Sequence, residues 1–495
     1  MRRSLRPAGK VGEKSMRNDK RRWLPAVLAG LCALLLSGCN ALGLDVEDYL
    51  RPPKSTGEQE AIQQALETYI EAHAEKGGVT DYILKYPKEG SYRSAFILVD
   101  QVQPNRLGNL SASSLTENKR AASNTMSTAE ATQAVAFYRL DVEQAKTHVN
   151  YLRKIDDEWV SVSDVEGSSE GVSRVSFGDL NGDGAPELLV GWSQYNTRNQ
   201  KLALYFLNDT LEEQAVDEIY THMLVNEFTG SGRDDLMLFS ATGADAPTSV
   251  KLLSYEDGRL VSRGTAELDA GIQRFGTSKT VALSETVNGV FIDCYKDPNT
   301  TITELLFWDA GADEGRGRLE TPFYRAEDKL TTLTARESSI PLMDIDGDGM
   351  VEWPLSSRLP GYETVDAADA LWKTTWMTWD YATRQSRQVF SCVMNERDGY
   401  YVLFDESWDG KVTAIYDRDT RLLQFRLVGE ESTTAPFLSF KAAASSESPE
   451  EEGSSFHVLS QLGGVQYSVR YTKDGPFALN MERIRYMFSL LPADR

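Results

Sequence analysis

The feature that most constrains this chain is an acidic nonapeptide that occurs twice, at residues 179–187 and 344–352. Both copies carry oxygen-bearing side chains at positions 1, 3, 5 and 9, and glycine at position 6. Alternate residues of a tight loop can converge on one point, and glycine permits the sharp turn, so this spacing predicts a cation site in each loop. The predicted side-chain ligands are Asp179, Asn181, Asp183, Glu187, Asp344, Asp346, Asp348 and Glu352.

The donor chemistry of the two nonapeptides favours calcium. Position 7, Ala185 in one copy and Met350 in the other, adds a backbone carbonyl to the side-chain oxygens. Ca²⁺ takes about six to eight oxygen ligands, whereas the absence of His and Cys from the set argues against zinc or copper. We name the loops L1 (179–187) and L3 (344–352), and the sequence predicts one Ca²⁺ site in each.

A degenerate copy, L2, spans residues 227–235 and aligns with L1 position for position. It keeps acidic residues at positions 1 and 9 and glycine at position 6, but hydroxyl side chains replace the central carboxylates. Hydroxyls are weaker ligands for a hard cation, so a third site stays open. Its ligand set is Glu227, Thr229, Ser231 and Asp235.

The repeated loop is not an EF-hand. The bidentate glutamate required at position 12 is replaced by Val190 in L1 and by Leu355 in L3. Short β-type runs flank L1, 175–177 before it and 188–190 after it, where an EF-hand has helices. This order of strand, loop and strand, with ligands at loop positions 1, 3, 5, 7 and 9, resembles the FG-GAP repeat of integrin-type and VCBS-type propellers. The resemblance implies a β-propeller. Because the carboxylates gathered in each loop repel one another, we expect the bound cation to have a structural role.

Loops or hairpins comparable with L1 recur along the chain and predict the domain organisation. They begin near residues 100, 179, 227, 284, 344, 395 and 460, which makes seven units. We therefore predict an all-β fold, a β-propeller of seven blades over residues 79–495, with six or eight blades still compatible. The polar segments 105–132 and 442–455 cannot bury enough apolar surface to offset their ordering entropy, and we predict them to be disordered insertions.

The first 78 residues predict an export signal, a tether and a helix. Basic residues precede an apolar run that ends in Leu36-Ser37-Gly38-Cys39, which resembles a bacterial lipobox. The resemblance implies a signal peptide at 1–38, lipidation of Cys39, a tether at 39–54 and an extracytoplasmic protein anchored to the cell membrane. An ordinary signal peptide with an incidental cysteine is the alternative. Residues 55–78 have the apolar spacing of an amphipathic helix.

This N-terminal layout, followed by repeats, is similar to that of lipoproteins of Gram-positive anaerobic bacteria with FG-GAP/VCBS-like repeats. The similarity implies display at the cell surface, but it implies no activity. Removal of residues 1–38 would shift the formal net charge from −22 to −29. A surface this acidic repels phosphates, which excludes nucleic acid as a partner and limits membrane contact to the N-terminal lipid. For Cys294 and Cys392, a disulfide and two buried free thiols are both open.

Catalytic motifs are weak throughout the sequence. Gly167–Gly171 fits the G-x-S-x-G pattern, but it leads into a β-type run instead of the helix that a nucleophile elbow requires. We therefore favour a non-enzymatic binding or adhesion module for an unidentified protein or glycan. The alternative is an extracellular polysaccharide hydrolase or lyase, and a third, weaker idea is an envelope-assembly lipoprotein. Aromatic residues that can contact a ligand or pack in the blade core are Trp192, Tyr195, Trp372, Trp376 and Trp379.

Overall fold

The computed structural model describes residues 57–74, 78–88, 94–102, 131–241, 247–337, 340–429, 435–445, 456–473 and 475–492. The predicted signal peptide, Cys39 and the tether lie outside these ranges, as do most of the two predicted insertions. At the start of the second predicted insertion, residues 442–444 form the end of the strand Leu438–Ala444, and Ala442 is buried.

Contacts divide the chain into two compact units, residues 1–63 and 64–495. Helix α1 (Gly57–Ala74) begins in the first unit, ends in the second, and lies inside the segment 55–78 that the sequence predicts as helical. Within the second unit it buries Leu66 and Ile70, one turn apart on the same face. Among the described residues, no helix is both long enough and apolar enough to cross a bilayer.

The described part of the second unit forms six antiparallel sheets, and the first three contain the chain up to residue 267. Sheet S1 contains β1 (Tyr82–Leu84), β2 (Phe96–Leu98), β3 (Gln133–Leu140), β4 (Thr147–Ile155) and β5 (Glu158–Glu166). Sheet S2 contains β6 (Val172–Gly178), β7 (Glu187–Ser193), β8 (Gln200–Leu207) and β9 (Leu211–Tyr220). Sheet S3 contains β10 (His222–Asn226), β11 (Asp235–Ser240), β12 (Ser249–Glu256) and β13 (Arg259–Glu267).

The remaining three sheets follow in chain order, except that the C-terminal strand returns to the fifth sheet. Sheet S4 contains β14 (Arg274–Ala282), β15 (Asn288–Asp297), β16 (Thr300–Asp309) and β17 (Arg318–Glu320), with a helical turn, α2 (Ala312–Gly315). Sheet S5 contains β18 (Trp353–Arg358), β19 (Trp372–Asp380), β20 (Gln385–Asn395), β21 (Tyr400–Leu403) and β27 (Phe488–Leu490). Sheet S6 contains β22 (Val412–Asp417), β23 (Leu422–Leu427), β24 (Leu438–Ala444), β25 (His457–Leu462) and β26 (Val465–Tyr471).

The core lies between consecutive sheets, so each inner sheet is buried on both faces. Successive side chains of a strand point to opposite faces. On β7, Leu188 and Val190 pack in the apolar cluster shared with S1, whereas Leu189 packs in the cluster shared with S3. On β15, Ile292 faces S3 and Phe291 faces S5 in the same way. Double burial explains why these strands read as continuous apolar runs and not as alternating patterns.

The C-terminal segment joins S5 to S6. Helix α3 (Met481–Met487) buries Ile484 and Met487 in a cluster that contains side chains of both sheets. Strand β27 then pairs with β21 and becomes the fifth strand of S5.

The all-β prediction is confirmed, but seven units are not. The hairpin near residue 395 joins β20 to β21 within S5, and the hairpin near residue 462 joins β25 to β26 within S6. Neither begins a new sheet, so the last three predicted units correspond to two sheets.

Candidate metal centre

Loop L1 connects β6 to β7 and is organised by its own side chains. The Asp179 carboxylate accepts hydrogen bonds from the N–H groups of Gly182 (2.8 Å) and Gly184 (3.2 Å). Both glycines have positive φ angles, 81° and 89°, a region that side chains with a Cβ rarely adopt. Farther along, the Asn181 side-chain oxygen accepts the N–H of Asp183 at 2.7 Å. The sequence spacing therefore dictates a local hydrogen-bonded turn.

Loop L3, which leads into β18, repeats this arrangement. Asp344 accepts from the N–H groups of Gly347 (2.6 Å) and Gly349 (3.1 Å), and these glycines have φ angles of 80° and 90°. Asp346 accepts the N–H of Asp348 at 3.2 Å. In L2, between β10 and β11, Glu227 likewise accepts from the Gly230 N–H. The three loops are thus structural equivalents.

Position 7 was predicted to supply a backbone carbonyl, and its N–H has a defined role in both loops. The N–H of Ala185 donates to Asp183 at 2.8 Å, and the N–H of Met350 donates to Asp348 at 2.7 Å. These bonds orient the position 5 carboxylate of each loop.

The carboxylate at position 9 turns back into the loop from the start of the following strand. Glu187 accepts the N–H of Leu180 at 2.7 Å, and Glu352 accepts the N–H of Ile345 at 3.1 Å. In L2, Asp235 accepts the N–H of Phe228 at 3.0 Å. This acid closes the loop on itself.

Burial makes the closing acids weak. It raises the pKa of Glu187 to about 7 and the pKa of Glu352 to about 8. The N–H groups that these carboxylates accept lower both pKa values in part, and the neighbouring Asp carboxylates raise them further. Burial also raises the pKa of Asp346, and the charge of Asp348 adds to that effect. Without a cation Glu187 and Glu352 therefore tend to keep a proton, and a cation bound in L1 or L3 would favour their ionised forms.

L1 and L3 differ at position 3, and this difference changes their electrostatics. In L1 the Asn181 amide donates to Asp183 at 3.0 Å and to Glu187 at 2.8 Å, so two acids share one neutral donor. Asp346 of L3 is a carboxylate and has no such N–H group to donate. Ligand oxygens of Asp344, Asp346 and Asp348 lie within 4.8 Å of one another.

L2 satisfies its acids with donors from neighbouring strands. The Ser254 hydroxyl donates to Asp235 at 2.6 Å. The Asn288 amide donates to the Glu227 carboxylate at 3.1 Å. Side chains of S3 and S4 thus already donate hydrogen bonds to the two L2 carboxylates. L2 is therefore the loop in which a cation would gain least from binding these acids.

L1 and L2 also contact each other, which the sequence did not predict. The N–H of Asp179 donates to Asp234 at 2.8 Å, and the N–H of Asp234 donates to the carbonyl of Asp179 at 2.9 Å. Asp234 occupies position 8 of L2, where L1 has Pro186 and L3 has Val351. A polar residue at a position that is apolar in L1 and L3 was the one feature of the sequence that could have indicated this contact between the loops.

Other predicted residues are also placed by the structure. Trp192, Trp376 and Trp379 are at most 6% exposed and belong to the core, whereas Tyr195, between β7 and β8, is 90% exposed. The G-x-S-x-G segment connects β5 to β6, two strands, so it is not a strand-to-helix elbow. Cys294 and Cys392 are buried free thiols in different sheets, which resolves the two alternatives.

Comparison with known proteins finds weak similarity only. No family model matches the sequence, and no curated protein matches it. A Bacillus licheniformis rhamnogalacturonan lyase aligns with 59% of this chain at 12% identity and a TM-score of 0.27, and the chain spans 65% of that lyase. The Dos1 propeller aligns with 59% of the chain and 72% of its own length at 10% identity and a TM-score of 0.26. Sqt1 of Chaetomium thermophilum aligns with 68% of the chain and 92% of its own length at 9% identity and a TM-score of 0.25.

Proposed function

We propose that this protein is a lipid-anchored, extracytoplasmic module of the FG-GAP/VCBS-like type, in which calcium-loaded loops stiffen a β-propeller that binds a protein or glycan. The observation that carries this proposal is the equivalence of L1, L2 and L3. In all three loops the N–H of position 4 donates to the acid at position 1 and the N–H of position 2 donates to the acid at position 9. The loops stand on three different sheets, and L3 brings three carboxylates within 4.8 Å.

The propeller in this proposal has six blades, one for each sheet S1 to S6. Its support is the way consecutive sheets share one apolar cluster per pair, from S1–S2 to S5–S6. Face-to-face packing of small antiparallel sheets in chain order is typical of propeller blades. A crystal structure that stacked the six sheets in two layers would contradict it.

The donor set of the loops fits Ca²⁺. In L3 the side chains that would hold it are Asp344, Asp346, Asp348 and Glu352, all oxygen donors, and in L1 Asn181 stands in for one carboxylate. A hard divalent cation supplies positive charge between these groups, so its role here is structural. A ligand that binds only the folded state stabilises it by mass action.

Calcium-dependent melting of purified residues 40–495 tests the proposal. We expect a higher melting temperature in calcium than in EGTA, a smaller effect of magnesium, and two sites by titration calorimetry. An unchanged melting temperature in calcium would overturn the metal assignment.

The anchor is tested separately. Cells that express the full chain are fed a labelled fatty acid, and we expect label in the wild-type protein and none in Cys39→Ala. Equal labelling of the two proteins would show that Cys39 is not the site of lipidation.

Binding and catalysis are distinguished by their products. Tyr195 is 90% exposed, which makes it the aromatic residue most available to a ligand in the described part of the chain. We expect retention on a glycan or protein array that Tyr195→Ala weakens, with no new reducing ends. Release of reducing ends from cell-wall or plant polysaccharide would favour the hydrolase or lyase alternative.

A further inference from the structure

Sheet S4 contains a buried charge cluster that does not belong to the loops. Its three carboxyl groups come from Asp269, in the β13–β14 connection, from Asp293 on β15 and from Glu304 on β16, and each residue is at most 1% exposed. The cations of the cluster are Lys296 on β15 and Arg336, in the connection 321–337 that follows β17.

The two cations are already paired with the two aspartates. Lys296 Nζ lies 2.9 Å from an Asp269 oxygen, and Arg336 Nη2 lies 2.7 Å from an Asp293 oxygen. The cluster thus has three carboxyl groups and two cations, and each cation pairs with an aspartate. An ionised Glu304 would place an uncompensated charge in the core, which proteins avoid by keeping such a group neutral.

The surroundings of Glu304 agree with a neutral acid. One carboxyl oxygen accepts the Thr331 hydroxyl at 2.6 Å. The other, Oε2, is buried and has no hydrogen-bond partner among the described residues. An unsolvated oxygen is far less costly on a carboxylic acid than on a carboxylate. Burial raises the pKa of Glu304 to about 8, and the charge of Asp269 raises it further, whereas the Thr331 hydroxyl, the backbone N–H of Asp269 and the charge of Lys296 lower it in part.

Glu304 and Asp269 together hold the connection 321–337 onto S4. Thr331 donates its N–H to Asp269 at 2.8 Å and its hydroxyl to Glu304. Farther along, Arg336 and Thr301 of β16 exchange two backbone hydrogen bonds of 2.9 Å. The chain continues to Leu342, whose N–H donates to Asp293 at 3.0 Å, two residues before L3 begins.

We propose that Glu304 is a pH-sensitive latch: while its carboxyl group is protonated the connection 321–337 stays on sheet S4, and loss of the proton adds an uncompensated negative charge beside Asp269 that loosens the connection. The other titratable groups near it are Tyr324, which donates to Glu267 at 2.9 Å, and the buried Cys294. The latch does not depend on cation binding, so it stands or falls independently of the calcium proposal.

The sign of the pH dependence follows from linkage. An unfolded glutamate loses its proton near pH 4.5, whereas folded Glu304 keeps its proton to about pH 8. Between these values the folded state binds more protons, so its stability falls as the pH rises and levels off above pH 8.

The test compares wild type with Glu304→Gln, which mimics the neutral acid, in EGTA buffers from pH 5 to pH 9. We expect the melting temperature of the variant to fall less with rising pH. Glu158→Gln, an exposed site in the β4–β5 hairpin, is the matched control and should follow wild type. Parallel pH profiles for wild type and Glu304→Gln would overturn the proposal.

Hydrogen exchange gives a local readout that a general change of stability would not mimic. After correction for the intrinsic pH dependence of exchange, protection of residues 321–337 should fall above pH 8 in wild type and persist in Glu304→Gln. Thr331→Val, which removes the latched hydroxyl, should expose this segment already at pH 7. Unchanged protection in Thr331→Val, or identical loss in wild type and Glu304→Gln, would refute the latch.

Discussion

The difference between L1 and L3 at position 3 predicts that the two loops depend on calcium to different degrees, and a reciprocal exchange isolates this effect. Asn181→Asp gives L1 the carboxylate of L3, and Asp346→Asn gives L3 the amide of L1. Both changes preserve side-chain shape, so the main variable is charge and hydrogen-bond donation.

The expected magnitude follows from the geometry. At 4.8 Å, the upper limit of the oxygen separations in L3, two unit charges repel by about 0.9 kcal/mol in water and by about 3.5 kcal/mol at an effective dielectric constant of about 20. Asp344, Asp346 and Asp348 are half-buried or exposed, so the lower value applies to the repulsion among them, and Asp346→Asn relieves about 1–2 kcal/mol without calcium. Asn181→Asp removes the hydrogen bonds of 3.0 and 2.8 Å that the Asn181 amide donates, and it adds charge repulsion. Without calcium we expect it to lower the free energy of unfolding by about 2–3 kcal/mol.

The assay is thermal melting with EGTA and with calcium. In EGTA we expect Asn181→Asp to melt a few degrees below wild type and Asp346→Asn to melt at or above it. Calcium should bring the melting temperature of Asn181→Asp back to that of wild type. It should raise the melting temperature of Asp346→Asn less than it raises that of wild type. Asn196→Asp, in the exposed β7–β8 hairpin, controls for an added charge outside the loops. Equal melting temperatures of Asn181→Asp and wild type in EGTA would refute this prediction. So would a melting temperature of Asn181→Asp that stays below that of wild type in calcium.

Three further predictions concern other parts of the molecule. Asp348→Ala should reduce the calcium-induced rise in melting temperature more than Asp183→Ala, because L3 is the more anionic loop; equal reductions would contradict this. Burial lowers the pKa of His222 to about 3, so the unfolded state takes up the proton first, and His222 by itself contributes a loss of about 2 kcal/mol between pH 7 and pH 5, opposite in sign to the contribution of Glu304. Urea unfolding at both pH values should therefore show the free energy of unfolding of His222→Phe rising relative to wild type by about 2 kcal/mol at pH 5; an equal change in both proteins would sink the argument. The Asp398 side chain is fully buried and pairs with Arg421 at 2.6 Å. Asp398→Ala should therefore lower the free energy of urea unfolding by about 2–4 kcal/mol. A loss below about 1 kcal/mol would show that the pair contributes little.

The internal geometry of the loops follows from their sequence. The carboxylate at position 1 bonds to the N–H groups at positions 4 and 6, and the acid at position 9 bonds to position 2, all within nine residues. Such bonds depend on side-chain type and on glycine at two positive-φ positions, so a short peptide pattern is sufficient to specify them. The all-β class follows similarly from short apolar runs separated by turn residues.

Tertiary structure decided how many sheets those strands form and which loops contact one another. The sequence does not reveal that β27, at the C-terminus, pairs with β21, or that the hairpin near residue 395 stays within S5. The contact between Asp179 and Asp234 and the placement of Glu304 beside Asp269 also join residues far apart in the chain. Periodicity shows only that a residue is buried; its partner depends on the packing of whole sheets, which no local pattern encodes.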